Sequence, residues 1–237
     1  MAGKFLNELD TIHFGIPLNE VDIDSFTPNW DSILGAEYKI TPTYISFNIS
    51  SKLFASSNTI GAITLANYEN IPRILYDNFG FDIDPQYLLE DVPLWRVDVK
   101  KDLITNELPN YYIYDLRRYL KRATKKYNIV NHDEMIYSNG FSVTPKTKSK
   151  HRFSVYNKGV DISLAKNKEL REKLNYETLT KFDKTLRCEV QLSDFKNIKK
   201  AFSIPNEEVQ TFKSVMECQN DVVFECFSKL MKGETAV

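Results

Sequence analysis

One tyrosine, one lysine and two carboxylates sit in this chain at spacings that would bring them onto a single surface. In Phe153-Ser-Val-Tyr-Asn-Lys158, apolar Phe153 and Val155 alternate with Ser154, Tyr156 and Lys158. Residues two apart on a strand point to the same side. In Leu94–Lys100, the apolar side is Trp95, Val97 and Val99, and the other side is Arg96, Asp98 and Lys100. In Leu186–Leu192, Leu186, Cys188, Val190 and Leu192 oppose Arg187, Glu189 and Gln191. Paired with their apolar sides together, the three strands gather Asp98, Glu189, Tyr156, Lys158 and two arginines on one face. Asp98 and Glu189 are hard oxygen ligands of the kind that hold Mg²⁺ or Mn²⁺, and such an ion polarises phosphate. Tyr156 is an oxygen nucleophile able to form a phosphoester, and Lys158 could neutralise non-bridging phosphate oxygens. The plain alternative is the solvated polar face of a sheet covered on one side.

These segments need a scaffold, and the hydrophobic pattern supplies one. Strands are expected at Asp10–Leu18, Tyr44–Ile49, Ile60–Leu65, Leu94–Lys100, Ser138–Thr144, His151–Asn157 and Leu186–Leu192. Helices are expected at residues 68–79 with Asn67 as cap, 111–127 with Asn110 as cap, 169–182 and 195–202, followed by a long final helix over 207–231. Strands and helices are interspersed without regular βαβ alternation. The expected class is α+β with a central, largely antiparallel sheet flanked by helices, as one domain over 1–237: an acidic part (1–92), a catalytic part (93–204) and a C-terminal helix (205–237).

The chain of 237 residues has a net charge of −1, but residues 1–92 carry 4 Lys and Arg against 13 Asp and Glu, and the remainder 27 against 19. A basic C-terminal part suits a polyanion. Fifteen Phe, 13 Tyr and only 8 Gly exclude a disordered chain. No apolar run approaches the ~20 residues that span a bilayer, and no signal peptide opens the chain. Three cysteines without CxxC spacing give neither a zinc site nor a disulfide framework. A soluble, cytoplasmic protein is expected.

The segment Ser149-Lys-His-Arg-Phe-Ser-Val-Tyr-Asn-Lys158 resembles the nucleophile region of the replication initiators of filamentous phages, the gene II protein family. Trp95-Arg-Val-Asp98 resembles that family's Arg-Ile-Asp strand, and Leu186-Arg-Cys-Glu-Val-Gln-Leu192 its Arg-Phe-Glu-Ala-Arg strand. Phe195-Lys-Asn-Ile-Lys-Lys200 resembles the basic helix that follows, and Asp10–Leu18 the opening strand. The resemblance implies a fold of the HUH and rolling-circle Rep nucleases, with an RRM-like sheet. It implies an enzyme, a tyrosine-dependent DNA nickase and strand transferase of a bacterial host cytoplasm. Such an enzyme joins itself to a 5′-phosphate and frees a 3′-OH for rolling-circle replication. Tyr156 would be the nucleophile, Asp98 and Glu189 the ligands of Mg²⁺ or Mn²⁺, and Lys158 a phosphate partner. The implied partners are origin DNA, single-stranded or supercoiled, and the host helicase and polymerase; no membrane is implied. The family's relatives use a His-hydrophobic-His pair, which this chain lacks. By parity His151 falls away from Tyr156 and reads as structural or as a phosphate contact at the strand entrance; His13 and His132 have no partner motif and read as structural. Asp102 is either a third ligand or a loop residue, and Tyr137 or Tyr176 could be a second nucleophile.

Phosphate contacts are expected from Arg118 and Arg122 on the basic stripe of helix 111–127, from the loop Lys146, Lys148 and Lys150, and from Arg152. Two rival readings remain. One is a non-catalytic single-stranded nucleic-acid-binding module on an RRM-like sheet, with exposed aromatics on neighbouring strands. The other is a hydrolytic nuclease that uses water in place of Tyr156.

Overall fold

A computed structural model describes residues 7–23, 31–136, 138–148, 150–234 and 237. Their strands are β1 (Glu8–Pro17), β2 (Asp22–Ile23), β3 (Asp31–Ile33), β4 (Ala36–Ile40), β5 (Tyr44–Ser50), β6 (Phe81–Asp82), β7 (Leu94–Ile104), β8 (Tyr127–Asn131), β9 (Gly140–Pro145), β10 (His151–Asn157) and β11 (Thr185–Leu192). Their helices are α1 (Leu65–Tyr68), α2 (Ile71–Phe79), α3 (Pro85–Glu90), α4 (Pro109–Ala123), α5 (Lys158–Ser163), α6 (Lys168–Lys173), α7 (Tyr176–Phe182), α8 (Phe195–Ala201), α9 (Phe212–Met216) and α10 (Val222–Met231). The chain is α+β. Nine strands form one antiparallel sheet in the order β3-β4-β5-β1-β7-β11-β10-β9-β8. The acidic N-terminal part is woven into it, since β1 lies between β5 and β7.

One face of the sheet is the core. Ile12, Phe14, Phe47, Val97, Val99, Phe153, Val155 and Val190 are buried there, beneath α4, α8 and α10. Phe153 stacks on Phe227 of α10 at 5.6 Å between ring centroids, and Tyr68 stacks on Phe212 at 3.6 Å. Among the described residues the other face is covered only at one end. There the segment after β5, with α5, α6 and α7, builds a small apolar cluster of Ile60, Ile162, Leu170 and Leu174.

Two β-bulges change what faces where. In β1, Leu9 pairs with Val99 and Thr11 with Asp98, so Asp10 is the extra residue. In β7, Arg96 pairs with His13 and Leu94 with Phe14, so Trp95 is extra. Trp95 therefore lies on the polar face, not on the apolar side that strict alternation predicts. Its ring lies over Gly15, where a β-carbon would run into it, and meets His13 and Tyr44 edge-on at 5.3 and 5.0 Å.

Several expected elements are interrupted, three of them at a side-chain cap. Residues 60–65 form no strand: only Ile63 bridges to Leu9, and Thr64 caps α1 in a reciprocal box with Asn67, which is thus not the cap. The expected helix 68–79 is α1 and α2 separated at Glu69-Asn70. The 169–182 helix breaks at Asn175, whose side chain accepts from Thr178 N at 2.8 Å. The final helix breaks into α9 and α10, where Asp221 caps Phe224 N at 2.9 Å. Helix α4 begins at Pro109 and ends at Ala123, and Tyr127 opens β8. Asn110 is inside α4 and, instead of capping it, donates to Asn139 Oδ1 at 2.9 Å and accepts from Asn157 at 2.7 Å.

Candidate active site

The register of β10, β11 and β7 lays out the polar face in rows. Tyr156 pairs with Arg187, and Arg187 with Asp102; Ser154 pairs with Glu189, and Glu189 with Lys100; Arg152 pairs with Gln191, and Gln191 with Asp98. The Tyr156 hydroxyl reaches across one row and donates to Glu189 Oε1. The chain turns at Asn157, whose side chain accepts from Gly159 N and Val160 N and so starts α5. Lys158 is therefore the first residue of a helix rather than a strand residue. The helix folds it back over the same face, with its ammonium 5.9 Å from the Tyr156 ring centroid and 2.7 Å from Asp161 Oδ2.

Beneath this lies a set of mutually paired charges. Arg187, 2% exposed, makes a two-point pair with Asp102 at 2.6 and 2.6 Å and turns its third nitrogen towards Asp10 at 3.4 Å and Glu189 at 3.9 Å. Lys100 reaches Asp10 at 3.3 Å and donates to the Gly61 carbonyl. Ser51 donates to Asp10 at 2.9 Å. Buried charges persist only when paired in this way.

Electrostatics follow from that packing. Burial, reinforced by Asp10, pushes the Glu189 carboxyl up to about 7 against the pull of Arg187. Burial and the Glu189 charge drive the Tyr156 hydroxyl well above its ordinary value. Burial and the Arg187 charge lower the Lys158 ammonium, with Asp161 opposing. Burial alone would raise Asp10, but Lys100, Arg187 and Lys158 together hold it far below the carboxylate range. Asp102 is also lowered from its ordinary value, because the hydrogen bonds and charge of Arg187 outweigh its burial.

Tyr156 and Glu189 open into a cleft of about 440 Å³ lined also by His132, Ser142, Arg152, Ser154 and Lys166. His132 Nε2 lies 2.8 Å from the Ser142 hydroxyl, which lies 3.0 Å from that of Ser154. The histidine without a partner motif in the sequence thus lines the cleft. His151, by contrast, is buried on the apolar side against Tyr127.

The structure brings Tyr156, Glu189 and Lys158 together and sets Asp98 apart. Asp98 lies opposite Gln191 and is held at both oxygens by Arg96, at 2.9 and 2.5 Å. Asp102 is likewise taken by Arg187 and lies within β7, not in a loop. Among the described residues no group of three His, Cys, Asp or Glu side chains could hold a metal ion. With Asp98 chelated by a guanidinium, the donor set as arranged does not fit a divalent metal centre.

Arg152 is exposed on the polar face at the cleft, and Lys146, Lys148 and Lys150 are exposed in the β9–β10 loop. Arg118 and Arg122 are exposed on α4, which packs on the opposite face. Tyr176 is 84% exposed at the start of α7. Tyr137, and Ser149 of the nucleophile segment, lie outside the described residues. Reasoning from strand parity missed Asp10, because a bulge residue obeys no alternation. It missed Asp161 and Lys166 because a new element begins at Lys158. Arg187 and Lys100 were visible as polar-face residues, but nothing in their spacing announced that they would be buried. Asp102, read as a third ligand or a loop residue, was not visible as the partner of Arg187.

The chain matches no family model, no curated protein and no solved structure. Among the described residues no helix is long and apolar enough to cross a membrane.

Proposed function

We propose that the protein is a tyrosine-dependent DNA nickase and strand transferase of rolling-circle replication, with Tyr156 as nucleophile. The observation that carries the reading is the hydrogen bond from the Tyr156 hydroxyl to Glu189 at the floor of a cleft walled by Arg152, Lys166 and His132. In the proposed step the tyrosine oxygen attacks a backbone phosphorus, and its proton passes to the Glu189 carboxylate. The P–O3′ bond breaks, and the departing O3′ takes a proton from solvent. The product is a 5′-phosphotyrosine and a free 3′-OH; the reverse reaction rejoins the strand. Arg152 and Lys166, which line the cleft, supply positive charge for the phosphate oxygens. Lys158, 3% exposed and paired with Asp161, is too buried to touch the phosphate and contributes only through its field. Arg187 is too deeply buried to touch DNA and acts as a positioning residue for Glu189.

The finer assignment, a sheet of the HUH and Rep-nuclease type, belongs to this proposal. So do the contacts: Lys146, Lys148, Lys150 and Arg152 beside the strand at Tyr156, and Arg118 and Arg122, across the sheet, against flanking duplex. A Mg²⁺ or Mn²⁺ ion on Glu189 and Asp98, as the sequence resemblance implies, would first require Arg96 to release Asp98. No step above depends on it. The test is to mix the protein with supercoiled DNA carrying its gene, with and without Mn²⁺, and to separate the products under denaturing conditions. A protein–DNA band that survives SDS and is lost in Tyr156→Phe is expected. Nicking without an adduct, unchanged by Tyr156→Phe, would instead mean a hydrolytic nuclease.

One observation favours the rival reading of a single-strand-binding module. Trp95, Tyr44 and His13 form an aromatic group on the same face, and each is partly exposed. That reading predicts binding of single strands with neither nicking nor an adduct.

A further inference from the structure

A second cavity, of about 800 Å³, opens on the polar face beside the Tyr156 cleft. Its floor is Lys100, Asp102 and Arg187, and Ile60, Phe182 and Met216 give it apolar walls. Cavities of this size with apolar walls and a few fixed polar groups take small ring ligands. Arg187 belongs to this floor and also faces Tyr156 in the strand register. The cavity therefore begins one strand, about 4.8 Å, from the nucleophile's own strand.

Charge decides what it can hold. Lys100 is already engaged by Asp10 and the Gly61 carbonyl, and Arg187 by both oxygens of Asp102. Lys181, the third lining cation, is paired with Glu177 at 2.9 Å. The cavity thus offers no unpaired cation, which disfavours a phosphate as the occupant. A nucleobase has the complementary chemistry: an apolar face for the wall that Ile60 and Phe182 form together, and N–H groups on its edge for Asp102 and for the Thr178 and Thr185 oxygens, whose own protons go to the Ser57 and Lys181 carbonyls.

We propose that this cavity is the pocket for an unpaired nucleobase of the strand whose phosphate faces Tyr156. The pocket rests on the proposed nickase reading, and it gives that enzyme a means of holding the strand by a base next to the reacting phosphate. Neither the aromatic group at Trp95 nor the basic loop can do this, since both lie beyond the far end of the rows.

The test is equilibrium binding of short single-stranded oligothymidylates in which one position carries either 2-aminopurine or an abasic site, scanned along the probe. For the wild-type protein one position should prefer the base by about 10-fold in affinity, the scale of one stacked base, with a change in 2-aminopurine fluorescence confined to that position. Ala62→Trp, which fills the cavity from a lining residue outside the catalytic group, should abolish the preference. Phe182→Ala, which removes a wall, should weaken it and serves if the first variant does not fold. Equal binding of both probes at every position, no binding of either, or a preference unaffected by both variants would overturn the pocket. Tyr156→Phe separates the two proposals, because it should lose the adduct and keep the base preference. A base preference in a protein that forms no adduct would leave the pocket standing and sink the transesterase.

Discussion

The two faces of the one sheet are held in place by different physics. On the helix-covered face, Phe153, Val155, Val97 and Val190 are buried among apolar groups, and each contributes through area removed from water. On the other face, Lys100, Lys158 and Arg187 are as deeply buried as those core residues, and they persist only because Asp10, Asp102 and Asp161 meet them. The first face tolerates a change of shape in proportion to volume. The second does not tolerate the loss of either partner, and that rigidity holds the Tyr156–Glu189 pair in register.

The comparison is broken most directly by Arg187→Ala. Removing the guanidinium takes from half-buried Asp102 its two-point partner and from half-buried Asp10 one of its cations, and leaves a cavity where a 2% exposed side chain stood. A loss of about 3–5 kcal/mol is expected in urea unfolding. The pair substitution Arg187→Leu with Asp102→Leu should recover much of it. Phe153→Ala, on the apolar face, should cost a similar 3–5 kcal/mol or so but with no rescue by a second change. Equal behaviour of the two sites would contradict the distinction.

Glu189→Gln sharpens it through pH. The Glu189 pKa is raised on folding to about 7 from an ordinary 4.5, so the folded state holds that proton more tightly. Its contribution is fully present below about pH 4.5, and it is lost as pH rises through about 7. The glutamine variant should match the wild type near pH 4.5 and exceed it by about 1–3 kcal/mol at pH 8, measured by denaturant midpoints. A gap that does not grow with pH would mean that Glu189 is not held as described.

A smaller loss, about 1–2 kcal/mol from overpacking, is expected for Gly15→Ala, whose new methyl would displace the Trp95 ring. Thermal melting would show it. Smallest in stability is Arg152→Ala at the exposed edge of the cleft, expected within about 0.5 kcal/mol of wild type. Its effect should appear instead in single-strand binding, with a salt slope lower by about one. Arg118→Ala, on the far side of the sheet, should leave that slope unchanged.

Much of the fold was legible because strands alternate. The central strands β1, β5, β7, β9, β10 and β11 and the class of the fold follow from period-two patterns. What could not be read were events that break a period. The bulges at Asp10 and Trp95 each turn a side chain onto a face that parity denies it. The caps at Asn175 and Asp221 divide helices whose apolar spacing runs on across the break, and the cap at Thr64 starts a helix inside an expected strand. In the site, Tyr156, Glu189 and Lys158 were legible as a set. The pairing of Asp98 with Arg96 was not, because both share one strand two residues apart and a pattern of types cannot say which partner a carboxylate takes. Nor could it say that this face is roofed, since the roof comes from segments around residues 51–63 and 158–182 that are remote in sequence from the strands.

The central claim is that Tyr156 itself bonds to DNA, and one measurement addresses it directly. The protein–DNA adduct is trimmed with nuclease, digested with trypsin and analysed by mass spectrometry. Cleavage after Arg152 and Lys158 releases Phe153-Ser-Val-Tyr-Asn-Lys158, and the prediction is a nucleotide phosphate on the tyrosine of that peptide. A nucleotide on another tyrosine, such as the exposed Tyr176, or no modified peptide from DNA that has been nicked, would contradict it.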